Sequence, residues 1–285
     1  MISIASQRKV HDVLRLEGHV YAFDSSTIDL CLNLFDWAKF RTTKSSIKLH
    51  VLYDVESQIP SFFLITNAKG HDSKVIDEIP YQSGAYYIFD RAYNAFKQLH
   101  LIHQTKAYFV VRAKKKLRYA IVSRKTDLEK EVLLDAQIEL TGMNARKYYP
   151  KRLRMIRFWD EEKQREFYFL TNNNKLKAGK VALLYKQRWQ VELFFKWLKG
   201  HLPVKKFWRK SRNAVEIQIY VAVITHGLLS IIKDSMHIAY STYEMLQIIG
   251  ASLLDTTPLQ ELLSQTNSQN VKEHDIVNKQ LMFNF

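Results

Sequence analysis

Val20-Tyr21-Ala22-Phe23-Asp24-Ser25-Ser26 sets a short apolar run against an abrupt polar exit. Four consecutive apolar residues bounded this way read as a buried strand. Tyr86-Tyr87-Ile88-Phe89-Asp90 repeats the arrangement, with a second apolar run and a second terminal aspartate. Between the two, Ser46–Val55 alternates well enough for a strand, Glu56-Ser57-Gln58 makes a turn, and Ile59–Thr66 supplies a third strand. These first three strands read as an antiparallel meander. A helix is expected from Asp72-Ser73, either of which suits an N-cap. Another helix is expected over Asn94–His103, and a fifth strand over Ala107–Val111.

The chain then changes character. Residues 113–174 are basic and carry short strand candidates at Leu117–Val122, Leu153–Trp159 and Phe167–Leu170, the last two flanking a turn at 160–164. This stretch reads as a β-rich insertion. A long helix is expected from Ala178 to Lys199, stopped by Pro203. Helices over 211–233, 242–254 and 258–264 come next, and Ile217–Ile232 reads as a core helix with His226 a satisfied buried residue. Three strands, then helix, strand, helix, strand, and a later helix is the order of a ribonuclease H-like fold. The expected class is therefore α/β, a mixed five-stranded sheet with helices, a β-rich insertion before the 178–199 helix, and a helical C-terminal part. The expected division is 1–18 as a short N-terminal segment, 19–112 and 175–263 as the main domain, 113–174 as the insertion, and 264–285 as a polar tail.

Charge narrows the partner. Lys and Arg total 43 against 28 Asp and Glu, a formal net charge of +15. Such an excess attracts a polyanion, either nucleic acid or an anionic membrane. The longest apolar stretch, Ile217–Ile232, is short for a span and carries Gln218 and His226, so no membrane role is expected. Cys31 is alone, which excludes an internal disulfide and a cysteine-based zinc site and suits a reducing cytoplasm.

In a meander followed by a parallel crossover, the first and fourth strands can lie side by side, so Asp24 and Asp90 would project together. Adjacent carboxylates repel unless a cation lies between them, and Mg²⁺ takes a few carboxylates while keeping waters for phosphate oxygens. Either Asp alone would equally suit a turn or helix cap. The 178–199 helix adds a polar stripe of Tyr185, Arg188, Glu192, Lys196 and Lys199. A solvated ladder is the plain alternative, since Arg188–Glu192 and Glu192–Lys196 are both i,i+4 pairs. A metal ligand beside a bound phosphate backbone would look the same, with Arg188 forking onto a phosphate. Lys205, Lys206, Arg209 and Lys210 continue the basic character, with Phe207 and Trp208 among them, and 141–157 holds six Lys/Arg and no acid. Trp208 suits a core anchor at least as well as a base-stacking platform.

The spacing Tyr185-x2-Arg188-x3-Glu192-x6-Lys199 matches the Tyr-(2)-Arg-(3)-Glu-(6)-Lys signature of the insertion-sequence-four family of bacterial DDE transposases. Ala22-Phe23-Asp24-Ser25-Ser26 resembles that family's first aspartate strand, and Tyr87-Ile88-Phe89-Asp90-Arg91-Ala92-Tyr93 its second. The resemblance runs from about residue 19 to residue 263. It implies a ribonuclease H-like core with a β-rich insertion, and Asp24, Asp90 and Glu192 as catalytic metal ligands. It implies two Mg²⁺ ions, with Mn²⁺ as a substitute, and cut-and-paste transposition of an insertion sequence. The implied partners are double-stranded DNA, at transposon ends and target, and a second copy of the chain in an active homodimer. Tyr185, Arg188 and Lys199 would hold the phosphate backbone, with Lys196, Lys205, Lys206, Arg209 and Lys210 as further DNA contacts. The protein would act in the cytoplasm, on the nucleoid. Asp24 stands early, so the end-binding region that family members carry ahead of their first aspartate is expected to be missing. The alternative is a shortened transposase that no longer cuts but binds DNA or pairs with full-length copies and inhibits them.

Overall fold

The computed structural model describes residues 16–30, 39–41, 44–67, 72–201, 211–254 and 256–265. Two compact units divide at Ala222/Val223. The first unit is built on one ten-stranded sheet in the order β2-β3-β1-β5-β6-β10-β9-β8-β7, with β4 also paired to β3. Its strands are β1 (Val20–Leu30), β2 (Lys39–Arg41), β3 (Lys44–Asp54), β4 (Ile59–Asn67), β5 (Tyr86–Phe89), β6 (Tyr108–Arg112), β7 (Tyr119–Arg124), β8 (Val132–Leu140), β9 (Leu153–Asp160) and β10 (Arg165–Thr171). β1, β3 and β4 form an antiparallel meander, while β1, β5 and β6 run parallel. All four residues of β5 are buried, as a strand covered on both faces requires.

The helices of this unit are α1 (Phe96–Gln104), α2 (Met143–Tyr148), α3 (Ala178–Lys186), α4 (Trp189–His201) and the first half of α5 (Arg212–Ser235). Short 3₁₀ turns occupy Asp72–Glu78 and Arg91–Tyr93. Phe23, Tyr87, Phe89, Phe109, Leu99 and Tyr149 belong to one buried cluster. The second unit holds the rest of α5, α6 (Thr242–Ala251) and α7 (Leu259–Gln265). Ser241 caps α6 in a capping box, its Oγ accepting from the Glu244 backbone while the Glu244 carboxylate accepts from Ser241 N.

Several boundaries differ from expectation for physical reasons. β1 does not stop at Asp24. Its parallel pairing ends at Phe23↔Phe89, but its antiparallel pairing with β3 continues to Leu30↔Ser45, so the polar residues 25–27 keep a ladder partner. The 178–199 helix is two helices. Around Gln187–Arg188 the backbone shifts to i→i−3 hydrogen bonds, Gln187 N to Leu184 O and Arg188 N to Tyr185 O among them, a local tightening that separates α3 from α4. α5 is not wholly core. Val215, Ile219, Val223 and Leu229 are buried, but Ile217, Val221, Ile224, Leu228 and Ile231 are about half exposed. By length and composition this helix could cross a membrane, a test that core helices also pass. His226 is buried, as expected. β8 carries no clear strand signal in the sequence, because Asp135, Gln137 and Glu139 and an irregularity between Val132 and Leu134 blur its alternation.

Candidate active site

The register of the sheet decides where the two aspartates lie. Val20↔Tyr86 through Phe23↔Phe89 pair in parallel, so Asp24 and Asp90 are the next residues on adjacent strands. Neighbouring strands lie about 4.8 Å apart, which brings the two carboxylates to one end of the sheet's parallel part. Tyr93 reinforces this junction. Its ring meets Phe23 edge-on at 5.0 Å, and its hydroxyl donates to Ser25 Oγ at 2.8 Å. Asp90 occupies the N-cap position of the 91–93 turn, yet its side chain makes no capping hydrogen bond, so capping does not engage the carboxylate.

α4 delivers the third acid. Val191, Phe194 and Leu198 are buried as the helix packs on β1 and β3, with the Phe194 ring 5.4 Å from that of Tyr53. Glu192 is thereby turned toward Asp24, and Arg188 joins them. Arg188 Nη1 donates to Asp24 Oδ2 at 2.7 Å, while Nη2 donates to Glu192 Oε1. Tyr185, nearly buried, points its hydroxyl at Asp90 Oδ1 from 3.4 Å, longer than an ordinary O–H···O bond. Burial pushes the Asp24 carboxyl up to about 6. The Ser25 N–H and Arg188 oppose that shift, and Asp90 and Glu192 add to it. Burial likewise pushes the Tyr185 phenol up to about 12, so it is a hydrogen-bond donor at neutral pH.

Lys196 and Lys199 are exposed on α4, with Lys199 two helical turns beyond Glu192. Lys205, Lys206, Arg209 and Lys210 lie outside the described residues. The basic run at 141–157 is partly internal. Arg154 is buried in a two-pronged ion pair with Asp135, while Arg152 pairs with Glu139 and Arg157 with Glu166. Sequence reading misses these partners because the acids sit on β8 and β10, and only the register of the antiparallel pairing brings them within reach of the arginines. It also misses a cleft beside Arg188, lined by Phe158, Phe167, Phe169, Tyr185 and the half-exposed Trp189, with Lys186 among the lining cations. The Phe169 ring lies 4.8 Å from that of Tyr185, tilted against it. The aromatic content of 158–169 is the signal that could have found it.

Three carboxylates with no sulfur or imidazole suit a hard divalent cation. Their present spacing does not yet make a shared site. Among the described residues no group of three or more His, Cys, Asp or Glu is close enough to hold one ion. The guanidinium of Arg188 lies between two of them.

This fold has a solved counterpart. The piggyBac transposase, determined as a synaptic complex with hairpin DNA, superposes with a TM-score of 0.51 at 9% identity, covering 95% of this chain and 59% of that one. The class is thus a mixed α/β fold shared with that structure, with acids gathered where its parallel strands end. The Transposase DDE domain family matches residues 16–228, and the chain belongs to that family. A Sinorhizobium fredii protein named as a transposase is 35% identical over 214 residues, covering 73% of this chain and 59% of its own length. A Geobacillus stearothermophilus protein named for an insertion sequence element is 28% identical over 230 residues, covering 80% of this chain and 60% of its own length. The chain thus spans about three fifths of these relatives. DDE transposases use divalent metal ions.

Proposed function

We propose that this chain is the catalytic core of an insertion-sequence transposase, cleaving DNA ends and joining them to a target. The observation that carries this reading is the meeting of Asp24, Asp90, Glu192 and Arg188 where β1 and β5 part company. The four-point spacing on α3 and α4 favours the insertion-sequence-four group. In this reading β4-β3-β1-β5-β6 is a five-stranded ribonuclease H-like core, residues 19–112 and 175–263 make the catalytic domain, and 113–174 is an insertion that extends its sheet.

Asp24 is central because it interacts with both other acids, and Asp24, Asp90 and Glu192 would together hold the Mg²⁺ ions, two in this reading. Ions bound there would activate water or a 3′-hydroxyl and stabilise the leaving oxyanion of an in-line displacement. The chain's own residues do the rest. Tyr185, protonated, donates a hydrogen bond toward the Asp90 side of the site. Lys196 and Lys199 hold the phosphate backbone along α4, with Lys205, Lys206, Arg209 and Lys210 beyond it. The cleft walled by Phe167, Phe169 and Trp189 offers ring faces beside Lys186 and Arg188. No protein nucleophile is needed, so water and a DNA 3′-hydroxyl can use one site in turn. Two copies of the chain would act together on double-stranded DNA, in the cytoplasm.

The test is nicking of hairpin-tipped and pre-cleaved DNA with Mg²⁺ or Mn²⁺. The parent chain nicks, and Glu192→Gln, which keeps shape but removes a charged ligand, does not, while still binding DNA. A Glu192→Gln chain that cuts as well as its parent defeats the proposal.

A further inference from the structure

The contacts of Arg188 are ones that phosphate binding alone does not explain. Its two terminal nitrogens go to two different carboxylates, Nη1 to Asp24 and Nη2 to Glu192. A fork on a single carboxylate would leave the other free, whereas this guanidinium is a wedge between them. Its side chain is only 16% exposed, so the wedge is internal. A divalent ion shared by these acids needs their oxygens at about 2.0–2.1 Å, within the space the guanidinium fills. A guanidinium in that space leaves no room for the ion between Asp24 and Glu192.

The wedge is held incompletely. Arg188 Nε is buried and makes no hydrogen bond among the described groups. The residue also sits at the junction of α3 and α4, outside both helices, with i→i−3 bonds on either side of it. Charge points the same way. One guanidinium spans Asp24 and Glu192, and a doubly charged ion would hold these paired carboxylates more strongly than a monovalent group. A displaced Arg188 would need an anion, and a DNA phosphate accepts the same planar fork.

We propose that Arg188 competes with the divalent cation for Asp24 and Glu192, and that its release couples cation binding to the grip on a DNA phosphate. This rests on the carboxylate site proposed above. The opposite role would be a permanent strut that holds the acids ready for the ion, and the two roles differ in sign. Removing a competitor tightens cation binding, whereas removing a strut weakens it.

The experiment is Mn²⁺ binding to the whole chain without DNA, followed by the electron paramagnetic resonance of free Mn²⁺. The variants are Arg188→Ala, Arg188→Lys, Arg112→Ala and Glu192→Gln, with melting curves confirming that each is folded. Arg112 is the charge control. It influences Asp90 and Tyr185 electrostatically, and its guanidinium lies over the Phe167 ring. Competition predicts that Arg188→Ala binds Mn²⁺ about tenfold tighter than the parent, an ordinary coupling strength. Arg188→Lys, a point charge unable to span both acids, falls between, and Arg112→Ala changes little. By reciprocity, Mn²⁺ strengthens DNA binding of the parent chain, and that gain is lost in Arg188→Ala. Equal or weaker Mn²⁺ binding by Arg188→Ala, while Glu192→Gln still abolishes binding, overturns the competition and leaves the carboxylate site standing. Mn²⁺ binding that Glu192→Gln does not alter overturns the site itself, and the competition with it.

Discussion

Asp135 and Arg154 form a two-pronged ion pair at 2.6 and 2.7 Å, with both side chains at most 5% exposed. Arg154 also donates to the backbone carbonyls of Asn173 and Leu176, tying β9 to the segment that leads into α3. Removing one partner strands a buried charge, so Asp135→Ala should cost about 3–5 kcal/mol in urea unfolding. The pair also sets a pH sensitivity. Desolvation would raise the Asp135 carboxyl, but hydrogen bonds and charge from Arg154, then Lys125, outweigh it and hold it below its ordinary value. A depressed acid stabilises the fold fully above its unfolded value near 3.8, and that contribution is lost as pH falls through the lower folded value. The parent should therefore lose stability below about pH 4, and Asp135→Ala should show a shallower acid slope. In the sequence Arg154 is one more cation in a basic run, and nothing local distinguishes it from Lys151, which is exposed. Only the β8–β9 pairing reveals its partner. Lys199 is the contrasting case, since it is exposed on the face of α4 that carries Glu192. Lys199→Ala should weaken DNA binding several-fold with a smaller loss in cutting rate, measured by fluorescence anisotropy and single-turnover cleavage.

At the scale of elements, the position of Asp24 beside Asp90 depends on the entry to β1. Tyr86 N donates to His19 O at 2.8 Å, which starts the parallel register. That entry needs Gly18, because a Cβ there would lie 2.2 Å from the Gly84 carbonyl oxygen. Gly84 itself has φ +79°, a conformation that favours glycine. Gly18→Ala should therefore cost about 1–3 kcal/mol, as overpacking does, and should lower cutting more than DNA binding because it disturbs the register of the two acids. A Gly18→Ala chain with unchanged melting and cutting would show that the register is set elsewhere. Element types were legible in the sequence wherever an apolar run was short and sharply bounded, as in β1, β5 and β6. The break between α3 and α4 was not, because residues 186–190 contain no Gly or Pro and their periodicity passes through unbroken. The tightening there coincides with Arg188 reaching across to Asp24, a tertiary contact that local propensity cannot register.

For the whole molecule, the order of strands and helices was readable because each acid-terminated strand carried its own punctuation, and the charge balance pointed to a polyanion. What the sequence left open was how much of that charge faces outward, since Arg152, Arg154 and Arg157 are matched by acids. The surplus of +15 still predicts salt-sensitive, sequence-tolerant DNA binding. If six or more phosphates are contacted, affinity for random duplex should fall by roughly a thousandfold between about 50 and 200 mM salt. An affinity flat across that range would remove phosphate contact as the source of binding. The proposed function stands on Asp24, Asp90 and Glu192 forming one divalent-cation site for cutting DNA. Its most direct measurement is anomalous diffraction from crystals of the chain with Mn²⁺ and end DNA. Mn²⁺ peaks are expected at Asp24, with Asp90 and Glu192 beside them, and the Arg188 guanidinium is expected to have moved from these acids onto a backbone phosphate. Mn²⁺ peaks that avoid Asp24 in a crystal containing bound DNA would contradict the proposed function.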